Sequence, residues 1–148
     1  MERRIFAALA RVPRLRALEL TMIRGLSDCA VLGALPNLEH LTLSTLKHVT
    51  RLPSLRAAVR LTHVSLDQMR GLTDMQAIAD APNLTTFSAV DMTSLEPRLF
   101  APLVGHPTLR YVHAGFGSMK KNAEFAEMFA YLGTPKRESH VDWFGRYS

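Results

Sequence analysis

The fold is decided by residues 82–95, which read PNLTTFSAVDMTSL, because the same pattern of apolar residues returns along the chain. Residues 36–46 read PNLEHLTLSTL and place apolar side chains at the matching positions. The leading leucine of each unit recurs at equal intervals up to the fourth unit, and the last interval is slightly longer. These leucines are Leu15, Leu38, Leu61, Leu84 and Leu109. Such a regular period predicts a chain built of stacked repeats.

Two further apolar columns follow the leading leucine in every unit. The second column lies three residues later, and the third lies two residues after the second. The second column is Leu18, Leu41, Val64, Phe87 and Val112, and the third is Leu20, Leu43, Leu66, Ala89 and Ala114. Alternation of apolar and polar residues here predicts one short strand per unit, buried on one face.

The second half of each unit changes to helical spacing. One column is Phe6, Cys29, Leu52, Met75 and Phe100, and the other, three residues on, is Leu9, Leu32, Leu55, Ile78 and Leu103. Ser27-Asp28 and Thr73-Asp74 offer side-chain oxygens that suit a helix start. Prolines then end the helical segments, at Pro13, Pro36, Pro82 and Pro107. The pattern predicts a short amphipathic helix in each unit.

The L-x-x-L-x-L spacing resembles the leucine-rich-repeat family over roughly residues 5 to 117. The resemblance implies an α/β fold, a leucine-rich-repeat solenoid with about five parallel strands on a concave face and short helices on the convex face. It also implies a short, bacterial-type array that acts through protein–protein recognition. One departure concerns the turn after each strand, where many members carry Asn or Cys and this chain carries Ile23, Leu46, Met69 and Met92. The turn backbone therefore needs other hydrogen-bond partners.

We expect a single domain over residues 1–148, with atypical ends. Residues 1–11 carry the helix columns of a unit without its strand, and are predicted to be a partial repeat or N-terminal cap. Residues 12–117 form the repeats, and residues 118–148 a C-terminal cap helix and tail. An apolar stripe predicts that helix from about Asn122 to Leu132, with Gly133 as its stop. The aromatic tail residues either pack on the cap or form a docking tail, and packing is the preferred interpretation: Val141, Trp143, Phe144 and Tyr147.

Composition and charge place the chain among folded proteins of a reducing compartment. Apolar residues make up 47%, the net charge is +5 and the single cysteine, Cys29, allows no internal disulfide. The apolar run Ile5–Ala10 is too short for a signal peptide, and no window approaches a transmembrane span. We therefore expect a cytoplasmic protein with no membrane association. Because the basic residues are scattered along the sequence, we attribute the positive net charge to solubility and not to binding of an acidic partner.

Strand residues between the core columns are predicted to face the concave surface. That surface is rich in hydroxyl groups and carries Glu19, Asp67 and Asp91, but no Lys or Arg. Tyr111 and Phe116 are the expected aromatic anchors of a partner. The complete set of predicted partner contacts is His40, His63, Asp67, Asp91, Tyr111, His113 and Phe116.

Other kinds of site fit these residues less well. His40 and His63 share a column and suit a metal or a pH response, but no third ligand stands in register, so no metal or other cofactor is predicted. One strand carries His63, Ser65 and Asp67 at alternate positions. Side chains two positions apart on a strand are about 7 Å from each other, which is too far for the contacts of a catalytic triad. Because the concave face lacks basic residues, no nucleic-acid partner is predicted.

The leading hypothesis is a non-enzymatic scaffold that binds a protein partner of unknown identity on its concave face. Two alternatives stay open. The chain is a segment of a longer array or a subunit of an end-to-end homodimer, an interpretation favoured by the missing first strand at the N-terminal end. Or it is an antidote that neutralises a bacterial toxin, in line with its resemblance to small bacterial members of the family.

Overall fold

A computed structural model describes residues 14–23, 25–26 and 29–132. Five strands form one sheet: β1 (Ala17–Thr21), β2 (His40–Ser44), β3 (His63–Asp67), β4 (Thr86–Val90) and β5 (Tyr111–Ala114). They lie in chain order and every neighbouring pair is parallel. The predicted strands and the α/β class are thereby confirmed.

The register of the sheet follows the sequence period. Leu18 pairs with Leu41, Leu41 with Val64, and Val64 with Phe87, so that each step advances by the same repeat length. The last step, from Phe87 to Val112, is two residues longer. Each apolar column therefore runs straight across the sheet, and the residues between two columns run beside it.

The core lies under one face of the sheet. The second and third apolar columns are fully buried in β2 to β4, from Leu41 and Leu43 to Phe87 and Ala89. The leading leucines pack into the same cluster from Leu38 onward. In β3 and β4 buried side chains alternate with half-buried ones, and the half-buried side chains lie on the opposite face of the sheet. Burial of one face is the main force that holds these short strands, because a short strand gains little stability alone.

Each of the first four strands is followed by a residue in the left-handed region. The φ angles are 52° at Met22, 53° at Thr45, 50° at Gln68 and 52° at Asp91. The amide of Thr45 donates to the Asp67 carbonyl at 2.9 Å, and the amides of Met22 and Gln68 make the equivalent bonds to the next strand. The unusual conformation thus recurs with the period and lets the turn continue the sheet ladder.

The apolar residue after each of these turn positions closes a backbone turn. Its carbonyl accepts a hydrogen bond from the amide three residues on, at 3.5 Å for Ile23, 3.2 Å for Leu46, 3.4 Å for Met69 and 3.1 Å for Met92. The backbone therefore satisfies itself within the turn, and the side chain is left to fill the core.

The helical half of each unit varies. Residues Ala30–Ala34 and Pro97–Leu103 form 3₁₀ helices, and helix α1 spans only Gln76–Ala79. Residues 51–60 contain turns and no helix, so the predicted helix of that unit is wrong. Pro53 explains the difference, since proline lacks an amide hydrogen and disfavours helical backbone in the residue before it. The Leu55 amide donates instead to the Ala77 carbonyl of the next unit, at 3.2 Å.

Helix α2 (Met119–Met128) follows the last strand and continues into a 3₁₀ turn, Ala130–Leu132. It starts three residues before the predicted Asn122, because the Ser118 hydroxyl caps it by accepting from the Lys121 amide. Phe125 and Phe129 of the predicted stripe are buried, which confirms the face that packs. No helix within the described ranges is long and apolar enough to cross a membrane. The predictions for residues 1–11, Ser27-Asp28, Gly133 and the aromatic tail lie outside those ranges.

Candidate binding face

The face of the sheet opposite the core carries the predicted site, and we call it the polar face. Its side chains form three columns in register across the strands. The columns are Ala17, His40, His63, Thr86 and Tyr111; Glu19, Thr42, Ser65, Ser88 and His113; and Thr21, Ser44, Asp67 and Val90. The sequence prediction that these residues share one face is confirmed by that register.

Accessibility differs along the polar face. On β2 both His40 and Thr42 are only 5% exposed, whereas Ser65 and Ser88 on the next two strands are half-buried. On β5 Tyr111 is 39% exposed, and His113 is also exposed. Glu19 and Thr21 on β1 are exposed as well, so the face is covered at β2 and accessible at β1 and from β3 to β5.

His40 and His63 stack on each other. Their ring centroids are 4.4 Å apart and the ring planes are inclined by 22°. The register that pairs His40 with His63 on parallel strands holds the two rings at this spacing. The predicted neighbourhood of the two imidazoles is confirmed, but the burial of His40 leaves His63 as the more accessible ring.

Thr62, the residue before β3, adds a hydroxyl to this pair. Its Oγ1 lies 2.8 Å from His63 Nδ1 and 3.3 Å from the Glu39 carbonyl oxygen. The hydroxyl can donate to either group, and it can also accept a hydrogen from the ring. Sequence reasoning missed Thr62, although Thr85 stands at the same position one unit later and makes the matching bond to the Thr62 carbonyl.

An ion pair lies at the edge of the face, at the entry to β2. The Arg16 guanidinium contacts the Glu39 carboxylate. The hydrogen bond from Arg16 is the main reason why the pKa of Glu39 lies below its usual value, and the charges of Arg16, His40 and Arg60 act in the same direction. Both residues were absent from the predicted site, because they lie just before the strands.

Two carboxylates lie at the other end of the strands. Burial raises the pKa of Asp67, and the nearby charge of Asp91 raises it further. Asp67 Oδ1 is buried and has no hydrogen-bond partner within the part of the chain that is described. Asp91 is exposed in the left-handed turn after β4. This edge of the face can accept hydrogen bonds and cations from a partner.

Phe116 does not belong to the polar face, and its predicted placement there is wrong. Its side chain is 1% exposed and packs edge to face on Phe100, with ring centroids 5.6 Å apart. After β5 the chain turns inward through Gly117, whose φ is 67°, and the Phe116 amide donates to Asn122 Oδ1 at 2.8 Å. The aromatic ring therefore completes the core and does not reach a partner directly.

A polar hollow lies on the helical side of the sheet. Its volume is about 240 Å³, and it is lined by Arg51, Leu52, Ser54, Asp74, Gln76, Ala77 and Asp80. Ser54 Oγ donates to one Asp80 oxygen at 2.7 Å, and Gln76 Nε2 donates to the other at 3.0 Å. These bonds, the one from Ser54 first, lower the pKa of Asp80. The carboxylate is thus already engaged in linking two units, which is a structural role.

The polar face presents hydrogen-bonding groups along neighbouring strands. His63 Nδ1 is directed to Thr62, while Ser65 and Asp67 follow it along the strand at alternate positions. Among the described residues, no three histidine, cysteine, aspartate or glutamate side chains gather closely enough to hold a metal ion. The face offers hydroxyl groups, imidazoles, carboxylates and one phenol, which are groups that make specific hydrogen bonds at interfaces.

Neither the family models nor the curated proteins contain a match to this chain.

Proposed function

We propose that the protein is a non-enzymatic binding module of the leucine-rich-repeat class, and that it holds a protein partner on the polar face. The sequential order of five parallel strands and the constant advance along the chain from β1 to β4 support a solenoid. The left-handed residue that recurs after each of the first four strands supports it as well. In this proposal the polar face is the concave side of a short array in a reducing, cytoplasmic compartment.

The observation that carries the proposal is the alignment of polar side chains in columns on β3 to β5. A rigid sheet presents them without the entropy cost of ordering a loop, which is the advantage of preorganised recognition. Tyr111 supplies an exposed aromatic ring at the last strand. Tyrosine is enriched at binding hot spots, because it combines a large apolar area with a hydroxyl group.

The proposed contacts are His63, Asp67, Asp91, Tyr111 and His113. His40 acts behind His63, since its ring is covered and stacked. Phe116 shapes the face from below by fixing the end of β5. The five contacts extend over β3, the turn after β4, and β5.

Site-directed photo-crosslinking in the cells that express the protein tests this proposal. A photoreactive residue at Ser88, at the centre of the accessible face, should capture one specific protein. The same residue at Ala57, which is exposed in the turns of residues 51–60, is the matched control. Ser65→Arg places a long side chain on the accessible face and should abolish capture from position 88. Ala57→Arg should leave that capture unchanged. Equal capture from both positions, or capture that survives Ser65→Arg, contradicts binding on the polar face.

A further inference from the structure

Two carboxylates of the polar face meet at the ends of β3 and β4. Asp67 is the last residue of β3 and pairs in register with Val90, and Asp91 directly follows Val90. We propose that Asp67 and Asp91, which we call the acidic edge, receive a basic side chain of the protein partner, and that this side chain is an arginine. The inference rests on the proposed function, because it states which chemical group that partner presents to the polar face.

The charge of the polar face is opposite to the charge of the chain. The chain carries a net charge of +5 at pH 7, whereas the three columns and the turn position after β4 contain carboxylates and no Lys or Arg. These acidic residues are Glu19, Asp67 and Asp91. A surface of one sign favours a partner of the opposite sign and opposes partners of its own sign. The charge pattern therefore points to a basic segment of the partner.

Asp67 Oδ1 is the acceptor on this face that most needs an outside donor. The atom is buried and has no hydrogen-bond partner within the described ranges. Its two neighbours in the column do not supply one, since the Ser44 hydroxyl contacts Thr45 Oγ1 at 3.3 Å and Val90 is apolar. The amides of Thr45 and Gln68 donate to backbone carbonyls of the next strand. Because an unpaired buried acceptor is costly, a donor from a partner gains more here than at an exposed carboxylate.

The two carboxylates of the acidic edge repel each other when both are charged. Burial raises the pKa of Asp67, the charge of Asp91 raises it further, and no cation of the described chain is among the causes. A cation held between the two groups offsets this repulsion and favours the ionised form of Asp67. The acidic edge is therefore unfavourable in the free protein and is stabilised by a basic ligand, which is the behaviour of a recognition site.

The available ligands favour a guanidinium over a metal ion or an ammonium. Ca²⁺ takes about six to eight oxygen ligands, and the described residues gather no three His, Cys, Asp or Glu side chains. The neighbouring strands that carry the two carboxylates lie about 4.8 Å apart. A guanidinium presents its N–H donors in a rigid plane and can bond to two carboxylates at once. It is also more weakly hydrated than an ammonium, which suits the half-buried Asp67.

Carboxyl-carbon NMR at pH 7 tests the acidic edge in the absence of the partner. N-acetyl-arginine methylamide is the cationic probe, and its citrulline analogue has nearly the same shape without the charge. The arginine probe should shift the side-chain carboxyl signals of Asp67 and Asp91 together and saturably, and the citrulline probe should not. Asp67→Asn should weaken the response of Asp91 at least about tenfold, because the buried acceptor loses its charge. Glu124→Gln, at an exposed site on α2, is the matched control and should leave both responses unchanged.

Three results of this titration overturn the inference. The first is an equal response to both probes, and the second is the absence of a saturable response at Asp67. The third is saturation of the same two signals by calcium chloride at a lower concentration than by the arginine probe, which would make the acidic edge a metal site.

Photo-crosslinking from Ser88 tests the same edge in the complex. Asp67→Asn combined with Asp91→Asn should lower capture at least about tenfold. Glu124→Gln combined with Glu127→Gln removes the same amount of charge from exposed sites on α2 and should keep capture. The double asparagine variant should be at least as stable as the wild type at pH 7, so that lost capture is not lost folding.

The two experiments separate failure of the inference from failure of the proposed function. Capture that is unchanged by the two asparagines overturns the inference and leaves the proposed function standing, because the partner then binds without a basic group at this edge. Absence of capture by the wild-type chain contradicts the proposed function, and the NMR titration alone then decides whether the acidic edge binds a basic side chain.

Discussion

Phe116 packs edge to face on Phe100, and the ring of Phe125 lies against both of them at centroid distances of 5.6 to 5.8 Å. These three rings come from the turn after β5, from the 3₁₀ helix Pro97–Leu103 and from helix α2. They join the last strand of the sheet to the helix that follows it. A residue that the sequence pattern places on the binding face is therefore part of the aromatic core.

Phe116→Ala is expected to destabilise the protein by about 3–5 kcal/mol, since it removes a fully buried ring and leaves a cavity among aromatic neighbours. Tyr111→Ala, at an exposed position of the adjacent strand, should cost less than about 1 kcal/mol. Urea unfolding followed by circular dichroism measures both values. Similar stability losses for the two variants would show that Phe116 is not a core residue.

Lys121 is expected to hold helix α2 on the preceding unit. Its Nζ donates to the carbonyl oxygens of Thr93 at 3.3 Å and Leu95 at 3.2 Å, and it also pairs with Glu96. Lys121→Met keeps the aliphatic stem but leaves the Leu95 carbonyl without this donor, so we expect a loss of about 1–2 kcal/mol. Lys120→Met, at the exposed neighbour, should be neutral within about 0.5 kcal/mol. Thermal unfolding compares the two variants, and an equal effect would rule out the carbonyl contacts as the cause.

Thr45→Gly is expected to stabilise the chain. Thr45 has a φ of 53°, and a β-branched residue is strained there, whereas glycine adopts this conformation readily. Relief of that strain is worth about 1 kcal/mol, reduced by the greater freedom that glycine gives the unfolded chain. Thr50→Gly is the control in ordinary backbone and should give no gain. A destabilised Thr45→Gly variant, measured by urea unfolding, would contradict the strain.

The parts of the fold that could be predicted are those with a local cause. Val64 and Leu66 alternate with polar residues, and alternation fixes which face of a strand is buried whatever surrounds it. The missing helix near Pro53 could not be predicted from Leu52 and Leu55, because apolar spacing indicates which side chains pack and leaves the backbone conformation open. In this unit Pro53 disfavours the helix that the spacing suggests.

The sequence predicted which residues share a column of the candidate site, but not how deeply each side chain is buried. His40 and His63 have identical positions in their units, yet one is covered and the other is half-buried, a difference that depends on what surrounds each strand. Phe116 was misplaced for another reason. The register between β4 and β5 holds as far as Ala89 and Ala114, but the left-handed residue after β5 is Gly117, one position later than the equivalent of Asp91. A column can be extended beyond a strand only while the turn that follows the strand keeps the same geometry.

Asp67→Asn tests the electrostatics of the polar face through the pH dependence of stability. Burial first, and then the charge of Asp91, raise the pKa of Asp67 above its ordinary value of 3.8. The folded state therefore keeps this proton at pH values where the unfolded chain has lost it, and stability falls as pH rises through the folded pKa. At pH 7 the wild type carries the full unfavourable effect of the charge, so Asp67→Asn should be the more stable protein.

This advantage of Asp67→Asn should shrink as pH falls toward 3.8 and should vanish below that value, where both states of the wild type are protonated. Asp91→Asn should act in the same direction but more weakly, because it removes only the second cause of the shift. Urea midpoints measured at intervals between pH 3 and pH 7 give the comparison. If the difference between Asp67→Asn and the wild type stays constant over that range, the carboxylate does not sense burial on this face. Its proposed role as a site for a cationic group of the partner would then lose its physical basis.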